Sequence, residues 1–239
     1  MKRDTAADRR RRLALPHRRG SRIPQVVLIA AAISDLTFPE GTGFLEVAAG
    51  EYKLDIAPSG SAWDAAVLTV EGLELEKDGS YTAVAFNVLK SVQPLALADD
   101  LSAPPAGSIR VRAIHTAAGV GTVDTWEVSD PGNPTPLYTD FGFGDAGAYL
   151  ELPAAAYQLG FDVDDDAVPD LVFALPPLNA GTIANVFAVA DDAVFLLAQF
   201  ADGSTARIDP RVTQLGIFKH SGGGPPAFDR HRDTTASQF

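Results

Sequence analysis

One short stretch of this sequence concentrates carboxylate side chains, which can bind hard cations or act as general acids and bases. Five aspartates lie close together there: Asp162, Asp164, Asp165, Asp166 and Asp170. Calcium prefers several oxygen ligands from one loop, and Asp162, Asp164, Asp166 and Asp170 are spaced to supply them. The stretch lacks the glycine and the closing glutamate of an EF-hand loop. Two interpretations stay open, a calcium site and a solvated acidic turn, and the sequence favours the turn with no cofactor.

A histidine and an aspartate form the second candidate pair. His115 and Asp124 flank one predicted loop between two predicted strands. A His–Asp couple can orient a general base or hold a metal; alternatively, the histidine bonds to Asp124 or to loop backbone and fixes the loop. No serine lies in a nucleophile-elbow pattern, and no glycine-rich phosphate loop follows a strand. We therefore expect His115 and Asp124 to be structural, with no catalytic residue and no enzymatic activity.

The segments that carry these residues have the pattern of β-strands. Residues 109–114 (IRVRAI), 123–128 (VDTWEV), 44–47 (FLEV) and 52–56 (YKLDI) alternate between apolar and polar side chains, as half-buried strands do. Turns rich in glycine and proline separate the strands, and no segment has a sustained helical period. The sequence predicts an all-β chain of two tandem antiparallel β-sandwich domains of the immunoglobulin or transthyretin-like type.

An internal repeat indicates how these strands are organised. Residues 35–54 recur at 140–159 without a gap, which indicates a duplicated domain rather than a short solenoid unit. We predict a first β-sandwich at 26–98, incomplete at its start, a linker at 99–107, and a second β-sandwich at 108–211. The identical pairs are Asp35 and Asp140, Phe38 and Phe143, Leu45 and Leu150, Glu46 and Glu151, Ala49 and Ala154, Tyr52 and Tyr157, and Leu54 and Leu159. The apolar members of these pairs are expected in the two cores.

The ends of the chain and its charge bear on localisation and partners. Residues 1–25 are rich in arginine, which predicts a disordered leader or an export signal ahead of the apolar run at 26–33. Residues 212–239 have the pattern of a flexible tail. The net charge is −12, and an acidic body repels phosphate backbones, so no nucleic-acid partner is expected. No apolar run is long enough to span a membrane, and without cysteine no disulfide can form.

Several of these segments resemble the domain of unknown function 4397 family. The second copy carries the resemblance in IRVRAIHTA at 109–117, VD at 123–124 and YLELPA at 149–154, and the first copy in FLEVAAGEY at 44–52 and GSYTAVA at 79–85. The opening strand and the histidine-containing loop of the second copy have no counterpart in the first. The resemblance implies a β-sandwich module, often in tandem, in bacterial and archaeal proteins that are commonly exported. It implies no activity.

These observations predict a non-enzymatic, secreted or cell-surface β-sandwich module with a structural or binding role. Its partner would be an unknown protein or polymer at the cell envelope. If the leader is not a signal, the protein is cytoplasmic. The alternative function is a metal-dependent or hydrolytic enzyme that uses loops of the second domain, namely His115, Asp124 and the region 162–170.

Overall fold

Nearly all of the described chain is β-structure. The computed structural model describes residues 33, 36–61 and 65–211, so the leader at 1–25 and the tail at 212–239 lie outside the described residues. The all-β prediction is confirmed, and the strands are joined by turns and a short 3-10 turn at Leu89–Ser91. No helix of the described residues is long and apolar enough to cross a membrane. The strands are β1 (Gly50–Ile56), β2 (Leu68–Leu75), β3 (Ser80–Phe86), β4 (Gln93–Asp99), β5 (Ser108–His115), β6 (Val123–Glu127), β7 (Thr135–Phe141), β8 (Leu150–Pro153), β9 (Tyr157–Asp162), β10 (Leu171–Leu175), β11 (Ile183–Ala190), β12 (Val194–Phe200), β13 (Thr205–Ile208) and β14 (Pro210–Arg211).

The strands from β5 onward form a β-sandwich of two five-stranded sheets. The strand order is β14-β10-β9-β6-β7 in the first sheet and β13-β12-β11-β5-β8 in the second. Neighbouring strands are antiparallel except β5 and β11, which run parallel. Inward side chains from both sheets meet in one apolar cluster that includes Phe161 and Phe173 from the first sheet and Val186 and Leu196 from the second. The apolar cluster forms because successive side chains of a strand point to opposite faces of the sheet, so that alternating apolar residues all face the space between the two sheets.

The hairpin of β3 and β4 covers the outer face of the second sheet. Leu97 of β4 is buried in a second apolar cluster with Ile114 of β5, Phe187 and Val189 of β11, and Phe195 of β12. Strand β11 is therefore covered on both faces, and every residue in it except the last is buried. A nearly continuous apolar sequence, IANVFAVA, is what a strand with two covered faces requires.

The first copy of the repeat is more exposed than the second. Phe38 and Leu45 are 62% and 52% exposed, so the expectation that they lie in a core is wrong for these two residues. Their repeat counterparts Phe143 and Leu150 are half-buried, and Phe143 packs edge-on against Phe86 at 5.2 Å between ring centroids. Phe86 belongs to β3, so the β3–β4 hairpin covers Phe143. The division into copies at 26–98 and 108–211 stays a prediction.

Candidate functional site

The acidic loop between β9 and β10 is held by its own backbone. Asp162, at the end of β9, is 2% exposed. Its Oδ1 accepts hydrogen bonds from the N–H groups of Asp164 at 3.2 Å and Asp165 at 2.9 Å, and its Oδ2 accepts one from Ala167 at 2.8 Å. A buried carboxylate requires such partners. Asp165 and Ala167 have φ values of 60° and 63°, so the chain turns tightly around Asp162.

Three of the four predicted calcium ligands come together in this loop. One carboxylate oxygen from each of Asp162, Asp164 and Asp166 lies within 4.8 Å of the others. Asp170 is not in this group, and its Oδ2 accepts a hydrogen bond from the N–H of Val163 at 2.9 Å. Loss of solvent contact raises the pKa of Asp164 above its ordinary value of 3.8, and the neighbouring carboxylates raise it further. Oxygen atoms at this spacing suit a hard cation, and the calcium site stays the alternative to the solvated acidic turn that the sequence favours.

His115 is buried and bonded to its own loop. The side chain is 1% exposed, its Nε2 lies 2.9 Å from the carbonyl oxygen of Gly121, and its Nδ1 accepts the N–H of Ala117 at 3.3 Å. These partners assign the proton to Nε2, because a carbonyl can only accept and a backbone N–H can only donate. Both ring nitrogens are therefore occupied in closing the loop between β5 and β6.

Asp124 stabilises a separate irregularity. Its Oδ1 accepts a hydrogen bond from the N–H of Asp140 at 2.8 Å. Strand β7 carries an extra residue opposite Asp124, and Asp140 within this bulge has a φ of 52°. Aspartate is one of the few residues that adopt this left-handed conformation at low cost. His115 and Asp124 thus each bond to backbone, and neither orients the other.

Sequence reasoning missed a buried polar network on the outer face of the second sheet. The Arg112 guanidinium bonds to the Asp99 carboxylate, to the carbonyl oxygen of Ala98 at 3.0 Å and to Asn185 Oδ1 at 2.7 Å. The side chains of Arg112 and Asp99 are 7% and 1% exposed. Asn185 Nδ2 donates to Asp99 at 3.1 Å, and the Arg112 guanidinium lies 4.5 Å from the centre of the Tyr149 ring. Because Asp99 ends β4, this network ties the β3–β4 hairpin to the sandwich.

A more exposed ion pair lies beside this network. Arg110, two residues before Arg112 on the same face of β5, pairs with Asp100 at 2.9 Å and with Glu151 at 2.6 Å. The sequence contains a signal for both pairs: two arginines alternate along an apolar strand, and two adjacent aspartates precede it. Arginines on one face of a strand need carboxylates on the layer that covers that face.

An apolar cavity of about 60 Å³ lies between the two sheets. Its walls are mainly aliphatic and aromatic and include Val111, Leu150, Leu152 and Leu159. A polar group at its wall, the Tyr138 hydroxyl, donates to the carbonyl oxygen of Ala148 at 2.7 Å. Apolar cavities of this kind stay dry. The cavity therefore offers apolar contact rather than groups for chemistry.

Comparison with known proteins finds one matching family model, and its description names no activity. The family model described as "Domain of unknown function (DUF4397)" matches residues 26–126. The match covers the predicted first copy, the linker, strand β5, and strand β6 up to Trp126. No curated protein matches the chain. The resemblance to this family is therefore confirmed over residues 26–126, while the tandem arrangement and the missing opening strand stay predictions.

Proposed function

We propose that this chain, which resembles the DUF4397 family over residues 26–126, is a non-enzymatic β-sandwich module at the cell surface or outside the cell, with a structural or binding role. The family description names no activity. The net charge of −12 suits a protein exposed to salt and disfavours nucleic-acid partners. The partner in this proposal is a protein or polymer at the cell envelope.

The observation that carries the proposal is the use of the candidate catalytic groups within their own loops. His115 has both ring nitrogens bonded to backbone atoms of its loop. The Asp162 carboxylate accepts three backbone N–H groups. A general base needs a free lone pair within hydrogen-bond reach of its substrate. Residues that already hold loops closed are better suited to a rigid scaffold than to turnover.

Exposed apolar side chains support a binding role. In the described part of the first copy, Phe38, Phe44, Leu45, Val47 and Val67 are all 43% to 62% exposed. Single exposed apolar residues are ordinary, but several within one short region are typical of interaction surfaces. In the second copy, by contrast, one buried apolar cluster lies between the two sheets, and the exposed large apolar side chains are Val163 and Val168.

Protease treatment of intact cells tests the proposed location. Cells that produce the protein are incubated with proteinase K, and the chain is followed by immunoblot together with a cytoplasmic marker. The proposal predicts that the chain is degraded or shed while the marker survives. Protection of the chain in intact cells, with degradation only after lysis, would place it in the cytoplasm and contradict the proposal.

A metal-dependent hydrolytic enzyme is the second candidate, favoured by the grouping of Asp162, Asp164 and Asp166 within 4.8 Å. This function requires turnover that depends on a divalent cation and on these carboxylates. Ester, peptide and glycoside substrates with chromogenic leaving groups are offered with calcium, with magnesium and with chelator. Cation-dependent turnover that disappears in an Asp164→Asn, Asp166→Asn double variant would establish the enzyme and exclude the non-enzymatic proposal.

A further inference from the structure

We infer that β1 is an open edge at which two copies of this chain pair, antiparallel and centred on Leu54. The inference goes beyond the proposed function because it names a partner, a second copy of the same chain. Its failure would leave the proposed surface module intact, because that module can bind other partners at other surfaces.

Within the part of the chain that the structure describes, strand β1 has one hydrogen-bonded neighbour where its counterpart has two. The repeat aligns β1 with β9, since Tyr52 and Leu54 correspond to Tyr157 and Leu159. Strand β9 pairs with β10 on one edge and with β6 on the other. Within the described residues, β1 pairs with β2 alone. Its second edge therefore presents backbone N–H and C=O groups that can receive a strand.

The side chains of β1 divide into two faces. Tyr52, Leu54 and Ile56 are half-buried on one face, and Glu51, Lys53 and Asp55 are exposed on the other. The irregularity of this hairpin falls in β2, where two residues oppose Lys53. Strand β1 is therefore regular along its open edge, as pairing with a further strand requires.

The charges of β1 select one register for pairing with a copy of itself. When two β1 strands are centred on Leu54, Lys53 of each faces Asp55 of the other, and Tyr52 faces Ile56. Both apolar faces then lie on the same side of the joined sheet. Because Lys53 already lies 3.1 Å from Asp55 of its own strand, the four charges alternate in sign around the two-fold axis. Such a contact is isologous and closes after two copies.

The competing registers are less favourable. Centring on Lys53 gives the longest overlap, but it places Lys53 opposite Lys53 and Glu51 opposite Asp55, and like charges directly opposite are destabilising. A shift by one residue in only one strand would turn the apolar face of one copy toward the charged face of the other. Strand β2 is a poorer edge, because it bears Glu71 and Glu74 without a basic residue.

The contact is small, and so the association is expected to be weak. Five residue pairs of a strand edge bury less than the roughly 1,200 Å² of a standard interface. The exposed side chains of Phe44, Leu45 and Val47 directly precede β1 and can extend the contact. We expect a concentration-dependent dimer with a dissociation constant in the micromolar range.

Sedimentation of complementary charge variants tests the inference. Each 25.1 kDa chain should double in mass as its concentration rises. Lys53→Asp places two acids opposite each other and Asp55→Lys places two lysines opposite each other, so each variant alone should be a monomer, while an equimolar mixture should dimerise. Lys77→Asp is the matched control and should dimerise like the wild type. Lys77 lies on the exposed turn after β2, outside the five proposed residue pairs, and pairs there with Asp78 at 3.1 Å.

Three sedimentation results would contradict the proposed pairing of two β1 strands. A wild type that stays monomeric, or a dimer that survives both single substitutions, would overturn the inference. Tighter association of Asp55→Lys alone would also overturn it, because that result requires the register centred on Lys53.

A cysteine crosslink gives a second measurement that does not depend on charge. The chain has no cysteine, so Leu54→Cys introduces one thiol per copy at the proposed two-fold axis. Directly opposite residues of antiparallel strands lie about 4.5–5.5 Å apart at Cα, which permits a disulfide. Mild oxidation should crosslink Leu54→Cys rapidly and Ile56→Cys, whose neighbour across the axis is Tyr52, slowly. Equal crosslinking of the two variants would contradict the register.

Discussion

Asp99 and Asp100 are adjacent, yet the structure predicts a large loss of stability when the charge of Asp99 is removed and a small one when the charge of Asp100 is removed. Asp99 has a side chain that is 1% exposed and pairs with Arg112, whose side chain is 7% exposed. Asp100 has a side chain that is 53% exposed and pairs with Arg110. The perturbation is the same in both cases, replacement of aspartate by asparagine, so each variant serves as the control for the other.

The magnitude for Asp99→Asn follows from burial. Loss of the Asp99 carboxylate charge leaves the Arg112 guanidinium buried with only neutral partners, the carbonyl oxygen of Ala98 and the side-chain oxygen of Asn185. Removing one partner of a buried ion pair costs about 3–5 kcal/mol. For a chain of this size, that corresponds to a fall in melting temperature of roughly 6–20 °C. The exposed Asp100 is screened by water, so Asp100→Asn should change stability little.

Urea unfolding followed by circular dichroism at 218 nm, a wavelength typical of β-sheet, measures the free energy of unfolding for the three proteins. Because the β3–β4 hairpin is tied to the sandwich through Asp99, limited proteolysis should also cut within residues 76–99 of Asp99→Asn first. Equal stability of the two variants would refute the argument that this network fastens the hairpin. A loss in Asp100→Asn that exceeds the loss in Asp99→Asn would refute it as well.

Three further predictions concern the acidic loop and the loop before β8. The wild type should melt at the same temperature in millimolar calcium and in chelator, at fixed ionic strength, because the acidic turn is expected to bind no cofactor. A rise in the wild type that is absent from the Asp164→Asn, Asp166→Asn double variant would contradict this and establish a calcium site, with a stabilisation of RT ln(1 + [L]/Kd), about 2.7 kcal/mol at a hundredfold excess. The pKa of Asp164 is raised above 3.8 in the folded state, so ionisation of its carboxyl opposes folding. Without calcium, Asp164→Asn should therefore become more stable than the wild type as the pH rises through the raised pKa, and this advantage should disappear below about pH 3.8. A difference between the two melting temperatures that does not change with pH would contradict this. A Cβ at Gly147 would lie 2.2 Å from the Tyr138 ring, whereas one at Gly121 would meet nothing within 4 Å. In thermal melts, Gly147→Ala should therefore lower the free energy of unfolding by at least about 1–3 kcal/mol, and Gly121→Ala should lower it little. Equal effects of the two substitutions would contradict the contact between Gly147 and Tyr138.

Local patterns were sufficient to predict strands β5 and β6 of the second copy. The alternation in residues 109–114 and 123–128 marks β5 and β6, because a half-buried strand must present apolar side chains with a period of two. The local pattern does not predict strand β7, because Pro134 and Pro136 are typical of a turn. It is the last strand of its sheet, and an edge strand tolerates proline because one side of its backbone has no partner to bond.

Contacts between distant segments could not be read from those patterns. The acidic loop was predictable because Asp162, Asp164 and Asp166 are close in sequence. The bonds of His115 to Gly121 and Ala117 were anticipated only as one alternative, because a loop's closure depends on backbone geometry. The pairing of Asp99 with Arg112 needs the β3–β4 hairpin to lie on the second sheet, and nothing in the period of either strand specifies that packing.

We propose that the side chains that could do chemistry, His115 and Asp124 among them, instead hold the loops of the sandwich in place. The most direct measurement is turnover of ester, peptide and glycoside substrates by the full chain, compared with His115→Asn and Asp124→Asn. Loss of a buried hydrogen-bonding group at His115 should lower the free energy of unfolding by about 1–3 kcal/mol. We expect all three proteins to hydrolyse the substrates no faster than buffer without protein does, so that the loss of stability is accompanied by no change in turnover. Turnover by the wild type that falls at least tenfold in either variant, while that variant remains folded, would contradict the account.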